Sequence, residues 1–143
     1  MEMETYEEKI KDLKRYQEAI RTRQRMQEGL AEYKGTRMHP TSPGTDGAAG
    51  TGGNDMSDYF KKIEEKEEEI KVALKEEEHV REEIIEKINR IENPRQKNIE
   101  NQKDILFKIY ICNKSMREIS KEMKYSEDNV YKTKKQAIKN YHI

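Results

Sequence analysis

The chain has no tryptophan, two phenylalanines, three prolines and one cysteine among its 143 residues, and no apolar run long enough to cross a bilayer. Each shortage excludes something. A single cysteine, Cys112, rules out an internal disulfide, and its simplest place is beside Ile109 at a helix end. A hydrophobic fraction of 32% leaves too little apolar surface for one compact globule with a large core, so extended helices are expected. His39, His79 and His142 fall in separate stretches without i, i+4 pairing or a nearby cysteine, so no metal site is expected. The start, Met1-Glu2-Met3-Glu4, has neither a positive n-region nor an apolar h-region, which points to a cytoplasmic protein with no membrane partner.

What is present is charge, at 41% of residues, with 29 basic against 29 acidic side chains. Neutrality of the whole argues against nucleic acid as a partner, but the distribution reverses it. Segment 56–92 carries eight basic and thirteen acidic residues, whereas 93–143 carries twelve and six. Positive charge therefore collects at one end, where a polyanion would bind.

Periodicity gives an all-α chain: a long N-terminal antiparallel helical hairpin or coiled coil, then a small C-terminal helix-turn-helix domain. Tyr6, Ile10, Leu13, Ile20, Leu30 and Tyr33 share one face of a helix predicted over about 3–34, thinned by Gln17, Gln24 and Gln27 and stopped at Gly35. Residues 35–55 hold six of the seven glycines and two of the prolines and read as a flexible loop. The glycine stretch from Thr45 to Gly53 lacks the lysine and the preceding strand of a phosphate-binding loop. Over 56–92, Phe60, Ile63, Ile70, Leu74, Ile84, Ile88 and Ile91 alternate at three and four spacings, broken by Glu67, Glu77 and Arg81, which gives a heptad seam for packing and oligomerisation. Its partner is either the first helix, folded back, or a second subunit, a dimer being the favoured assembly.

Asn93-Pro94 marks a boundary, with Pro94 suited to a first helical position. Ile105, Leu106, Ile109 and Tyr110 then form a face able to close over Ile119, Val130 and Ala137. Met116, Ile119, Ser120 and Met123 make a narrow stripe on one helix, and Ser126 caps the next, with Glu127 and Asp128 at its positive end. Between them Lys124 takes a turn position that glycine usually holds, where a left-handed backbone costs about 1 kcal/mol or more. On the second helix Val130, Thr133, Ala137 and Tyr141 face inward, while Asp128, Tyr131, Lys132, Lys135 and Lys139 face out. Lys132, Lys135 and Lys139 are candidates for phosphates or guanine edges, Tyr131 for backbone or a thymine methyl, and Asp128 for cytosine N4. Arg117, Lys121 and Ser126 complete the candidate DNA-binding set.

Glu118-Ile119-Ser120, Tyr125-Ser126-Glu127, Val130-Tyr131 and Ala137-Ile138 resemble the promoter-binding helix-turn-helix at the C-terminus of sigma factors. More closely, they resemble the sigma-like domain of ArpU- and RinA-type phage and prophage regulators of late transcription. The resemblance covers about the last fifty residues, with Thr133 where a bulkier aliphatic is general and Lys97 to Gln102 resembling an insertion. It implies a sequence-specific DNA-binding transcription regulator, with double-stranded DNA as partner and RNA polymerase as a candidate second one. The alternatives are a protein-interaction adaptor of anti-sigma or assembly type, and a small terminase subunit. No catalytic constellation is evident, and no enzyme activity, cofactor or small-molecule substrate is expected.

Overall fold

The computed structural model describes residues 3–38 and 52–143, with side chains over 3–35 and 56–143. Every regular element among the described residues is a helix. They are α1 (Tyr6–Leu13), α2 (Arg15–Met38), α3 (Gly52–Asn89), α4 (Ile99–Leu106), which continues as a π-helical segment (Phe107–Ile111), α5 (Met116–Met123) and α6 (Glu127–Asn140).

The expected first helix is present but differs at both ends. Thr5 opens it, its hydroxyl accepting from the Glu8 N–H while the Glu8 carboxylate accepts from the Thr5 N–H, a reciprocal capping box. A slack turn at Lys14 separates α1 from α2, although the bonds from Lys14 N–H to Ile10 O and from Glu18 N–H to Lys14 O carry the helical pattern across it. Gly35 does not stop α2. Stopping requires the left-handed backbone that makes glycine a C-cap, and no described glycine has a positive φ. The expected loop therefore narrows at both sides, since α2 reaches Met38 and α3 begins at Gly52. Residues 39–51, including His39 and most of the glycine stretch from Thr45, lie outside the described residues.

By packing, the chain divides into one unit of residues 1–19 with 77–143 and another of 20–76, so the division falls within the long helices and not at Asn93. In the second unit α2 and α3 run antiparallel. Met26 lines a groove with Val72 and Ala73, Leu30 lines one with Ile70, and Lys34 meets Glu67 at 3.4 Å, so position rises along one helix as it falls along the other. Tyr33 stacks on Tyr59 at 5.4 Å between ring centroids, and the Lys66 ammonium sits 5.5 Å over the Tyr33 ring. The two helices thus pair within one chain.

The seam of α3 is shifted from the expected one. Phe60 and Leu74 are exposed, at 55% and 42%, and Ile63 is half-buried, while Ile70, Ile84, Ile88 and Ile91 are buried as expected. Tyr59, Glu77 and Val80 are buried in addition. Residues 63, 70, 77, 84 and 91 are common to both patterns. Each of the first four is followed by a seam residue at +3 or +4, and the fold uses +3, so the seam takes Lys66, Ala73, Val80 and Lys87 where Glu67, Leu74, Arg81 and Ile88 were expected. Ile88 is buried too because that end of α3 meets a broader core.

That core holds Leu13, Val80, Ile84, Ile88, Ile91, Leu106, Tyr110, Ala137, Ile138 and Tyr141. A smaller cluster of Ile105, Ile119 and Val130, with Met116, Met123 and Tyr125 against it, lies inside the helix-turn-helix. Residues 90–98 form no helix, contrary to the reading of Pro94 as a first helical residue. The Asn93 carboxamide oxygen accepts from the Arg95 N–H at 3.0 Å and closes a local turn instead. The π-helical segment ends the α4 run: Cys112 N–H donates to Phe107 O and Lys114 N–H to Lys108 O, and Asn113 turns the chain at φ 55°. Cys112 stands at the end of that segment, as expected, but is exposed and not packed.

Candidate nucleic-acid interface

Two serine caps set the geometry of the motif. Ser115 Oγ accepts from the Glu118 N–H at 3.2 Å at the start of α5, and Ser126 Oγ accepts from the Asn129 N–H at 3.1 Å at the start of α6. Between them Lys124 is left-handed, at φ 58° and ψ 38°, with its N–H donated to Ser120 O. Ser120 does more than provide a small contact, because its hydroxyl donates to Tyr125 O while Tyr125 N–H returns to Ser120 O. Asn101 donates to the Tyr125 hydroxyl at 2.5 Å and ties the turn to α4.

Val130, Thr133, Ala137, Ile138 and Tyr141 are buried, and Thr133 returns its hydroxyl to Asn129 O at 2.8 Å. Asp128, Tyr131, Lys132, Lys135 and Lys139 are all exposed on α6, as are Arg117 and Lys121 on α5. Asp128 and Lys132 form an i, i+4 pair at 3.3 Å, and the Lys135 ammonium lies 4.8 Å over the Tyr131 ring. Both pairs are exposed, so a stronger anion can displace them at little cost. Ser126 is exposed as well, and its hydroxyl, which accepts at the cap, keeps its proton to donate. Hydrogen bonds from Lys114 and then Lys108 hold the Glu122 carboxyl below its usual range, and the bond to Glu122 raises Lys114.

Two features that hold α6 in place had no periodic signal. The first is a polar clamp from α1. Lys9 donates to Lys139 O at 2.7 Å, a cation on the negative end of the α6 dipole, and the Glu4 carboxylate accepts from the Ile143 N–H. Buried Asp12 accepts from the Tyr141 hydroxyl at 2.6 Å, from Arg15 at 2.9 Å and from Lys87 at 3.2 Å. Burial alone raises the Asp12 pKa, but these donors outweigh it and the carboxyl lies below its ordinary value. Hydrogen bonds from Arg15 and then Lys87 bring Glu83 down to about 2, and burial followed by the hydrogen bond to Asp12 drives Tyr141 well above the usual phenol range. Gln17, which interrupted the stripe of the first helix, donates to Ile109 O in the π-helical segment at 2.9 Å.

The second is a carboxamide ladder. Asn93 donates to Asn140 Oδ1 at 3.2 Å, Asn140 donates to Gln96 at 2.7 Å and to Gln102 at 2.8 Å, and Asn98 donates to Gln136 at 3.0 Å. Fully buried Gln102 in turn donates to Gln96 and Asn98. With its oxygen occupied by Gln102, Asn98 makes no side-chain cap for α4.

Among the described residues no cluster of three or more metal-ligating side chains occurs, and no helix is long and apolar enough to cross a membrane. No family model matches the chain, and comparison with curated proteins and solved structures finds no significant match to either.

Proposed function

We propose that this chain is a sequence-specific DNA-binding transcription regulator of phage type, entering the major groove with α6. One observation carries this reading. A helix capped at Ser126 and joined to α5 through left-handed Lys124 buries one face and presents Tyr131, Lys132, Lys135 and Lys139 on the other. Arg117 and Lys121 on α5 are assigned to backbone phosphates, and Asp128 to a cytosine N4. The N-terminal hairpin is assigned to partner contacts, either a second copy or RNA polymerase.

Selection of bound sequences from random duplex DNA at two salt concentrations tests the reading. An enriched motif whose affinity falls steeply with salt is expected. Lys132→Ala combined with Lys135→Ala is expected to weaken binding and flatten the salt dependence by about 2 in log–log slope. Absence of any enriched motif refutes sequence-specific binding and favours an adaptor that docks protein through the same surface.

A further inference from the structure

We propose that the segment between α3 and α4 is a second arm of the DNA interface, in which Arg95 and Lys97 hold backbone phosphates beside the groove that α6 enters. This rests on the DNA-binding function proposed above and adds a site that the helix-turn-helix does not contain. The segment lies along α6: Asn93 and Gln96 meet Asn140, and Asn98 meets Gln136 one turn earlier. Gln136 is four residues after Lys132 and three before Lys139, so on the helix surface it adjoins both. The bond from Asn98 therefore fixes the backbone next to the basic row of α6, and Lys97 immediately precedes it.

The chemistry of the ladder suits an anion-binding arm. Carboxamides hold the segment through neutral donors and acceptors, so they fix its path without cancelling its charge. Arg95 and Lys97 are exposed, and among the described residues neither is in an ion pair, whereas Lys108 and Lys114 share a glutamate and Lys132 has Asp128. The Arg95 backbone is set by its bond to Asn93 Oδ1, so its side chain leaves from an ordered turn. Cations on a pre-positioned backbone lose little freedom on meeting phosphate, and such contacts orient a protein on the duplex without reading bases. The ligand is thus a phosphodiester backbone, and the arm contributes affinity and register to any sequence.

The test is fluorescence anisotropy of the full chain on a labelled mixed-sequence duplex of about 30 base pairs, titrated between about 50 and 200 mM salt. Arg95→Ala with Lys97→Ala is expected to weaken binding about tenfold at the lower salt and to make the log–log salt slope shallower by about 2. Lys71→Ala with Lys75→Ala, which removes equal charge from α3, is expected to change the slope by less than about 0.5. Circular dichroism of each variant confirms that these surface changes leave the fold intact. If Arg95 and Lys97 can be removed without effect while Lys132→Ala with Lys135→Ala weakens binding, the arm is wrong and the recognition helix stands. An equal loss from the α3 control also overturns the arm, since net charge then accounts for it. If the unaltered chain binds no duplex, the DNA-binding function falls and the arm with it.

Discussion

Removing the Tyr141 hydroxyl tests whether the polar clamp on α6 contributes to stability or merely accompanies apolar packing. Tyr141 is fully buried and donates to Asp12 at 2.6 Å. A hydrogen bond to a charged acceptor contributes about 1.5–3 kcal/mol. Tyr141→Phe keeps the ring in place and leaves Asp12 with Arg15 and Lys87, so no charge is stranded, and a loss near the lower limit, about 1.5–2 kcal/mol, is expected. Asp12→Ala leaves the Tyr141 hydroxyl buried without its acceptor, while Lys87 and Arg15 keep Glu83 at 3.0 and 3.1 Å. Arg15 and Glu83 are about one-third exposed, so solvent screens their part and a cost of about 3 kcal/mol is expected, not the upper limit for a buried pair. Urea unfolding of both single variants and the double is the assay. A double variant less destabilised than the sum of the singles by about 1.5 kcal/mol is expected. Additivity within about 0.5 kcal/mol would show that the bond contributes nothing. The acid limb provides a second check. Folding depresses the Asp12 and Glu83 pKa values, so their stabilisation is present above the unfolded carboxylate range and is lost as pH falls from about 4 toward about 2. Tyr141→Phe removes one donor that lowers Asp12, and the Asp12 part of that loss is expected to begin at higher pH.

Lys124→Gly is expected to stabilise the chain by about 0.5 kcal/mol, the relief of a left-handed backbone less the extra freedom of unfolded glycine, and destabilisation in urea would contradict the assigned turn. Gly29→Ala is expected to add up to about 1 kcal/mol, because a Cβ there meets nothing within 4 Å and alanine favours helix, with thermal unfolding as the readout. Phe60→Lys and Leu74→Lys are each expected to change stability by less than about 1 kcal/mol, whereas Ile70→Ala costs about 2 kcal/mol or more. The opposite ranking would restore the seam frame through 60 and 74.

The long helices and the two short helices of the helix-turn-helix were legible because their signals are local: heptad isoleucines, a serine before each short helix, an outward row of lysines. Whether the long helices pair within one chain or between two was not, since a seam does not name its partner. The frame of the α3 seam was not. Positions 63, 70, 77, 84 and 91 fit either frame, and each alternative row mixes apolar with charged residues: Tyr59, Lys66, Ala73, Val80 and Lys87 against Phe60, Glu67, Leu74, Arg81 and Ile88. Only the partner decides, through Tyr33 on Tyr59 and Lys66 over Tyr33. Gly35 misled because its composition suits a stop, while its backbone conformation is set by the helix it continues. The surroundings of α6 were illegible for a different reason. Asparagine and glutamine carry no periodic signature, and Asp12 looks like any surface acid until Tyr141, Arg15 and Lys87 converge on it.

The clamp also favours an order of events in folding. Asp12 and Tyr141 are 129 residues apart, so their contact closes nearly the whole described chain. Arg15 and Glu83 close a shorter span of 68 residues. If the hairpin forms first, it roughly halves the loop that the clamp must then close and saves about 0.6 kcal/mol of closure entropy. A chain in which α2 and α3 pair early therefore delivers α1 to α6 as a late step. Until that step Leu106, Tyr110, Ile138 and Tyr141 lack part of their cover, which makes the basic end of the molecule the last part to become protected from aggregation.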